Sequence, residues 1–408
     1  MANSAGFTPE LSGKISEKLS DDERLADLSA RARELIPVLR ERAARAEQMR
    51  QIPAETIRDF IEAGFFKILL PRRYGGYELD FGTAQIRIAG ELGRGCGSSA
   101  WVCTVLAVQG FLSAMFSAQA QDDVFASPDN LVCCSYRGEQ SQIEPVPGGY
   151  RVSGHWKFAS GVDASQWALL GGAIRRATGP EIVWFLAPAR DYEVRDEWFT
   201  SGLKATGSKD IIMNGGFVPE HRVTPLRLLA EGQGPGAAVN PCHIYRLPVL
   251  GTIAMNLSTA ALGIAQGAVD VFCAQARAQG ARPGSVRRAD LETNQLQIAE
   301  AAASVDCGRA LLRADAAEMN DTLRTGAPLR PEQRSRFRRD VAFAGGQFVH
   351  AVDLLQNLNG AHGIFDGNPI QRAFNDLVAM RTHAGLQWRP GGLNWGRVAL
   401  GLEPMLEL

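Results

Sequence analysis

At 408 residues the chain is longer than one hydrophobic core usually serves, so two or three domains are expected. Its 43 basic and 44 acidic side chains leave a net charge of −1, which excludes the broad basic footprint of a nucleic-acid or anionic-membrane binder. The seven cysteines (96, 103, 133, 134, 242, 273 and 307) include no CxxC pair, so reduced thiols in a cytoplasmic protein are expected rather than a disulfide framework or a zinc site.

The N-terminus is polar from its first residues and lacks the apolar core of a secretion signal. Two Ala/Arg/Glu/Leu-rich and amphipathic stretches follow, "DDERLADLSARARELIPVLRERAARAEQMRQIP" and "PAETIRDFIEAGFFKILLP", both with helical apolar spacing. Gly75-Gly76 makes a loop, and Asp80 is placed to cap the next helix. From Gly95 to Gln121 there is no charge, and "AWVCTVLAVQGFLSAMF" is largely apolar. Gln109, Gly110 and Ser113 interrupt it, and its length is at the short end of the ~20 residues a membrane span requires, so a buried helix is predicted.

The texture changes near Pro128. "NLVCCSY", "GGYRVSGHWKFAS", "QWALLGGAI", "EIVWFLAP" and "DIIMNGGFVP" are short β-type runs punctuated by Gly, Pro, Asp and Ser. Tyr150/Val152 and Trp156/Phe158 alternate with period two, as in a half-buried strand. From about Leu247 the helical pattern returns in four segments, near 247–279, 288–322, 331–360 and 369–387, which suggests an antiparallel bundle. The predicted organisation is an N-terminal helical domain (1–127), a β-domain (128–235) and a C-terminal helical bundle (236–408), with a cleft where they meet.

In the last segment Asn368 is the predicted N-cap and Pro369 the first helical residue, so Arg372, Asp376, Met380, His383 and Gln387 would share one face. Asp376 and His383 are then two turns apart, about 10.5 Å along the axis, which excludes a direct acid–base dyad. Ser160-Gly161 lies between two strand-like runs, where a turn would expose a hydroxyl and a backbone N–H suited to a planar heterocycle; an ordinary loop is the alternative. No GxSxG surrounds Ser160, and "GRGCGSSAW" lacks both GxGxxG and the Walker lysine. The histidines show no HxH or HExxH metal spacing.

The order of elements, with "GFFKILLPRRYGGYELDF", "GRGCGSSAW", "GGYRVSGHWKFASG", "GLKATGSKDIIMNGGFVP" and "GAHGIFDGNPIQRAFND", resembles the acyl-CoA dehydrogenase fold over roughly residues 30–400. The resemblance implies a mostly α protein with a central β-domain and a C-terminal four-helix bundle, commonly a homotetramer. Dehydrogenases of this fold commonly carry a glutamate base on the last helix; aligned through Pro369 and Asp376, that position holds Ala384, which cannot be a base. "GHWKFASGVDASQW", "QLQIAEAAASVDCGRALL" and His383 are instead similar to the two-component flavin-dependent monooxygenases.

That branch implies an oxygenase component to which an NAD(P)H-dependent flavin reductase supplies reduced FMN or FAD. With O2 the flavin forms a C4a-hydroperoxide that hydroxylates a small aromatic or heteroaromatic molecule. It implies Ser160 and His383 as catalytic residues. Ser135, Trp156 and Phe158 would join them in holding the flavin, and Gln109 and Ser135 would face the substrate. Gln109 stands where the phenol hydroxylases usually carry a histidine; it can hydrogen-bond but cannot take a proton near neutral pH, which favours a substrate that is already nucleophilic. N- or S-oxygenation by the same intermediate, and a dehydrogenase with a relocated base, are the alternatives.

Overall fold

The computed structural model describes residues 19–278 and 286–405, apart from the side chains of residues 139 and 140. The polar N-terminal segment read for a secretion signal therefore lies mostly outside the described residues. Six helices come first: α1 (Asp21–Glu34), α2 (Ile36–Met49), α3 (Ala54–Ala63), α4 (Thr83–Leu92), α5 (Gly97–Ser113) and α6 (Ala118–Val124). Ser20 starts α1 with a reciprocal capping box: its hydroxyl accepts from Glu23 N–H, and the Glu23 carboxylate accepts from Ser20 N–H. Asp80 does not cap α4 with its side chain. Gly82 takes the cap position, served by Gln85, while the Asp80 carboxylate pairs with His243 and Arg324. Every residue of α5 is buried, so its lack of charge reflects packing on all sides.

The β-domain comprises β1 (Val132–Ser135), β2 (Gly138–Val146), β3 (Gly149–Ala159), β4 (Trp167–Arg176), β5 (Gly179–Pro188), β6 (Glu193–Arg195), β7 (Lys209–Pro219) and β8 (Val223–Pro225). Seven strands run in the order β6-β7-β3-β2-β4-β5-β8, and β1 pairs in parallel with β4.

The C-terminal part holds α7 (Leu226–Ala230), α8 (Met255–Ala278), α9 (Glu292–Arg324), α10 (Pro331–Asn359), α11 (Pro369–Met380) and α12 (Trp388–Ala399). By length and composition α8 could cross a membrane, but most of its apolar window is packed inside the protein. Asn368 caps α11 as expected, its side-chain oxygen accepting from Ile370 and Gln371 N–H.

Two expectations about this end need correction. The last predicted helix stops at Met380 rather than near 387, so His383 and Gln387 lie beyond it, and α12 follows as an additional helix. The cause is local: Thr382 and His383 N–H bond to carbonyls three residues back, and the Thr382 hydroxyl also takes the Ala379 carbonyl. The α-helical ladder thus tightens into turns that reach Gly385. Among the described residues α5 links the parts, touching β1 of the sheet and α8 and α11 of the bundle.

Candidate active site

The end of β3 breaks its own alternation. Trp156 and Phe158 have the same parity and should share a face, yet Trp156 is fully buried while Phe158 is 66% exposed. The β3–β7 register shifts between Trp156 and Ala159, and Phe158 takes a left-handed φ of 69°, which turns its ring outward. Trp156 donates to the Gly171 carbonyl at 2.7 Å and packs edge-on to Phe185, so it is a core residue of the β-domain; the expectation that its ring holds a cofactor is corrected.

Ser160 follows in the turn and is nearly buried. The Trp101 indole N–H donates to its hydroxyl at 3.0 Å. A run of hydroxyls continues from there: Ser160 to Ser208 at 2.7 Å, Ser208 to Thr206 at 2.6 Å, and Thr206 donating to the Leu203 carbonyl at 2.9 Å. Each hydroxyl has one proton, so the last bond orients the rest. Thr206 gives its proton to Leu203, Ser208 gives its own to Thr206, and Ser160 gives its own to Ser208. Ser160 therefore has no proton left to donate and can present only a lone pair to a ligand.

His383 stands on the other side of Trp101, its ring edge-on to the indole at 5.9 Å. Its Nδ1 accepts from Gly385 N–H at 3.0 Å, which selects the tautomer with the proton on Nε2. Arg338 of α10 pins this turn by donating to the carbonyls of Ala384 and Gly385. The protein packed around the imidazole, and then the Arg338 charge, hold its pKa down to about 4. His383 is nevertheless an exposed residue, and water there screens both effects. The imidazole is neutral at neutral pH, with one N–H to donate.

Beside these groups lies an aromatic rim. The Phe158 and Trp198 rings meet edge-on at 6.1 Å, and the Arg50 guanidinium lies 3.9 Å from the centre of the exposed Phe199 ring. Arg50 donates to the Trp198 carbonyl, and Trp198 Nε1 donates to the Leu203 carbonyl. Arg50, Phe158 and Leu203 are three of the four described non-glycine residues with positive φ. Strained backbone thus converges on Trp198, as is common at working sites.

Of the residues expected to face a substrate, Ser135 donates its hydroxyl to the Lys157 carbonyl at 2.7 Å. Gln109 is buried on α5, and its side-chain oxygen accepts from the Tyr136 hydroxyl at 2.9 Å. Tyr136 is stacked on Trp184 at 4.4 Å, and burial keeps its phenol protonated far above neutrality. The amide nitrogen of Gln109 donates to none of the described residues. The structure thus joins Ser160 and His383 through Trp101, and Gln109 to the residue following Ser135. Trp101, Ser208, Thr206, Arg338 and Tyr136 escaped the sequence reading. Trp101 was legible only as one more apolar residue of a buried helix, and the others carry no local signature.

Comparison with known proteins agrees with this architecture. The acyl-CoA dehydrogenase N-terminal domain model matches residues 23–123, and the C-terminal domain model matches residues 255–388. The oxygenase subunit HsaA, a flavin-dependent monooxygenase of Rhodococcus jostii, is 34% identical over 86% of this chain and 92% of its own length. The oxygenase component of an FADH2-dependent resorcinol hydroxylase from a Rhizobium species is 34% identical over 90% of this chain and 92% of its own. The crystal structure of 3-HSA hydroxylase from a Rhodococcus species superimposes with a TM-score of 0.86 at 32% identity, covering 95% of this chain and 98% of that one. The chain belongs to the oxygenase components of two-component flavin-dependent monooxygenases, built on the acyl-CoA dehydrogenase fold.

Proposed function

We propose that this chain hydroxylates a small aromatic or heteroaromatic molecule with O2 and reduced FAD or FMN, the flavin being delivered by a separate NAD(P)H-dependent reductase. The observation that carries the reading is the pairing of Ser160 and His383 across Trp101 in a site without a carboxylate base. Ala384 stands where a dehydrogenase commonly has its glutamate, and the one carboxylate of α11, Asp376, is sealed and bonded to Leu203 N–H at 2.6 Å. Among the described residues of α11 and the turn after it, no carboxylate is free to abstract a proton from a thioester substrate.

The residues fit a flavin. The exposed Phe158 ring offers an apolar face, Ser160 an acceptor and His383 a donor, which suits a flat heterocycle with N–H groups and an oxygen-bearing reactive edge. Reduced flavin, when bound, would supply the two electrons that activate O2, so that one oxygen atom of O2 goes to the ring and the other leaves as water. Ser160, with its own proton committed to Ser208, accepts a hydrogen bond from a ring N–H of the cofactor. His383 donates its Nε2 proton to oxygen that carries developing negative charge, and Arg338 keeps the imidazole aimed. The buried faces of α5 and β1 keep water from the reacting atoms.

On the substrate side, Ser135 lines the approach, and Tyr136 braces Gln109 so that its amide presents N–H donors. Such a site favours an electron-rich ring bearing an acceptor oxygen. The chain works in the cytoplasm, consistent with free cysteines throughout the described residues. It assembles as a homotetramer, for which the exposed Phe343 of α10, Trp388 and Leu393 of α12 and Leu400 just after it are a suitable apolar surface. The test is product analysis with enzymatically regenerated reduced flavin across phenols, indoles, amines and sulfides. Ring hydroxylation is expected. Conversion of amines or sulfides alone would redirect the reading to N- or S-oxygenation, and flavin bleaching by an acyl-CoA alone would refute it.

A further inference from the structure

Asp376 takes no part in the steps above, yet its position connects all three elements of the site. It lies on α11, seven residues before His383, and is 2% exposed. One carboxylate oxygen accepts from Leu203 N–H at 2.6 Å. The carbonyl of that same Leu203 receives the Thr206 hydroxyl, which ends the run from Ser160. The other oxygen lies against the first residue of α5: a Cβ placed on Gly97 would come within 2.6 Å of it. Four residues further along α5 is Trp101, the residue that touches both Ser160 and His383.

The approach of these elements is close enough to demand glycine. A Cβ on Gly202 would sit 2.0 Å from the Asn375 carbonyl oxygen, so the 202–203 turn rests directly on the backbone of α11. Leu203 itself is held at a φ of 53°, a conformation that a leucine adopts only when its surroundings enforce it. The path from Asp376 through Leu203, Thr206, Ser208, Ser160 and Trp101 to His383 therefore starts and ends on one short stretch of chain.

We infer that Asp376 is a positioning residue: it fixes the proton direction along the hydroxyl run at Ser160 and sets the spacing of Ser160 from His383. When ionised, the carboxylate accepts strongly from Leu203 N–H and so holds Leu203 in the left-handed conformation that aims its carbonyl at Thr206. Thr206 then gives its proton to that carbonyl, and the orientation is passed on to Ser208 and Ser160. When protonated, the carboxyl accepts a weaker bond, Leu203 is held less firmly, and Thr206 can turn its proton away from that carbonyl. Burial raises the pKa of Asp376 to about 7; the charged groups facing it are Glu47 of α2, Arg372 of α11 and Lys204, with the Cys96 thiol at the start of α5. Arg372 is itself paired with Glu47 at 2.8 Å, which blunts both.

This inference deepens the proposed reading of the site, but its test is made on the flavin-free protein. Tryptophan is labelled with 15N at the indole nitrogen, and the Trp101 signal among the seven is assigned with Trp101→Phe. The expected result is a Trp101 N–H shift that titrates with a midpoint near 7 and still does so in His383→Asn. In Asp376→Asn the shift should be displaced and flat with pH. A flat profile in the unsubstituted protein, or one that survives in Asp376→Asn, overturns the inference. The unsubstituted and His383→Asn titrations decide the matter even if Asp376→Asn fails to fold. In the hydroxylation assay Asp376→Asn should lower kcat about tenfold with little change in substrate KM; an unaltered kcat also counts against it. A protein that hydroxylates nothing would refute the proposed function and leave the titration interpretable.

Discussion

Replacing Arg338 by methionine keeps the aliphatic stem and removes the guanidinium that holds the His383 turn. Two hydrogen bonds are lost, to the Ala384 and Gly385 carbonyls. Bonds to a charged donor contribute about 1.5–3 kcal/mol each, but both acceptors lie in an accessible turn and regain water, so the net cost is about 2 kcal/mol. The loss falls mainly on local order, because Gly385 N–H no longer has a fixed path to His383 Nδ1. The imidazole responds in a defined direction. Its pKa is depressed to about 4 from an ordinary 6.5, first by burial and then by the Arg338 charge. A histidine held neutral in the fold contributes stability above its ordinary pKa, and that contribution is lost as pH falls through the folded value. Arg338→Met removes the second cause and loosens the first, so the pKa must rise and the pH window of that linkage must narrow from the acid side. Proton NMR of the imidazole C2–H, assigned with His383→Asn, measures it directly in the flavin-free protein. A midpoint that does not rise would refute the assignment of Arg338 as the clamp.

Three other outcomes follow from particular contacts. Ser160→Ala strands the buried Trp101 N–H, at about 1–3 kcal/mol, and should weaken reduced-flavin binding, as read by equilibrium dialysis under anaerobic conditions. Tyr136→Phe unbraces Gln109 and should weaken binding of an acceptor-bearing aromatic about tenfold, roughly 1.4 kcal/mol, while an aromatic hydrocarbon of the same size is unaffected. Asp315 in the bundle has a carboxylate oxygen without a partner, and burial, with Asp340 nearby, raises its pKa to about 7 from 3.8. A raised folded pKa means stability that is full below the ordinary value and lost as pH rises through the folded one. Asp315→Asn should therefore stabilise the protein by about 2 kcal/mol at pH 8, after allowing for Arg336 at 3.6 Å, with the gain vanishing near pH 4 in chemical denaturation.

The architecture was legible because it rests on period and composition. A charge-free run marked α5 as buried, period-three-to-four spacing marked the long helices, and short β-branched and aromatic runs marked the strands. The site was legible in part. Ser160 lies in the expected turn and His383 past the end of the helix expected to carry it; the two stand on either side of one indole, neither bonds the other, and nothing local to them names Trp101. The errors have physical causes. Period two placed Trp156 and Phe158 on one face, whereas a register shift and one left-handed residue separate them. Helical spacing carried the last helix through His383, whereas three-residue hydrogen bonds and the Thr382 hydroxyl end it at Met380. Arg338 and Asp376 act at 46 and 173 residues of separation from their backbone partners, a distance that no local pattern reports.

This site transfers oxygen from O2 to an aromatic ring at the expense of reduced flavin. The most direct measurement is the partition of consumed O2 between hydroxylated product and hydrogen peroxide, with reduced flavin regenerated by a reductase and resorcinol as the first substrate of a phenol and indole panel. One or more members of the panel should take up oxygen in near-stoichiometric yield, and His383→Asn should shift the balance to peroxide. Consumption that ends wholly as peroxide with every ring offered would contradict it.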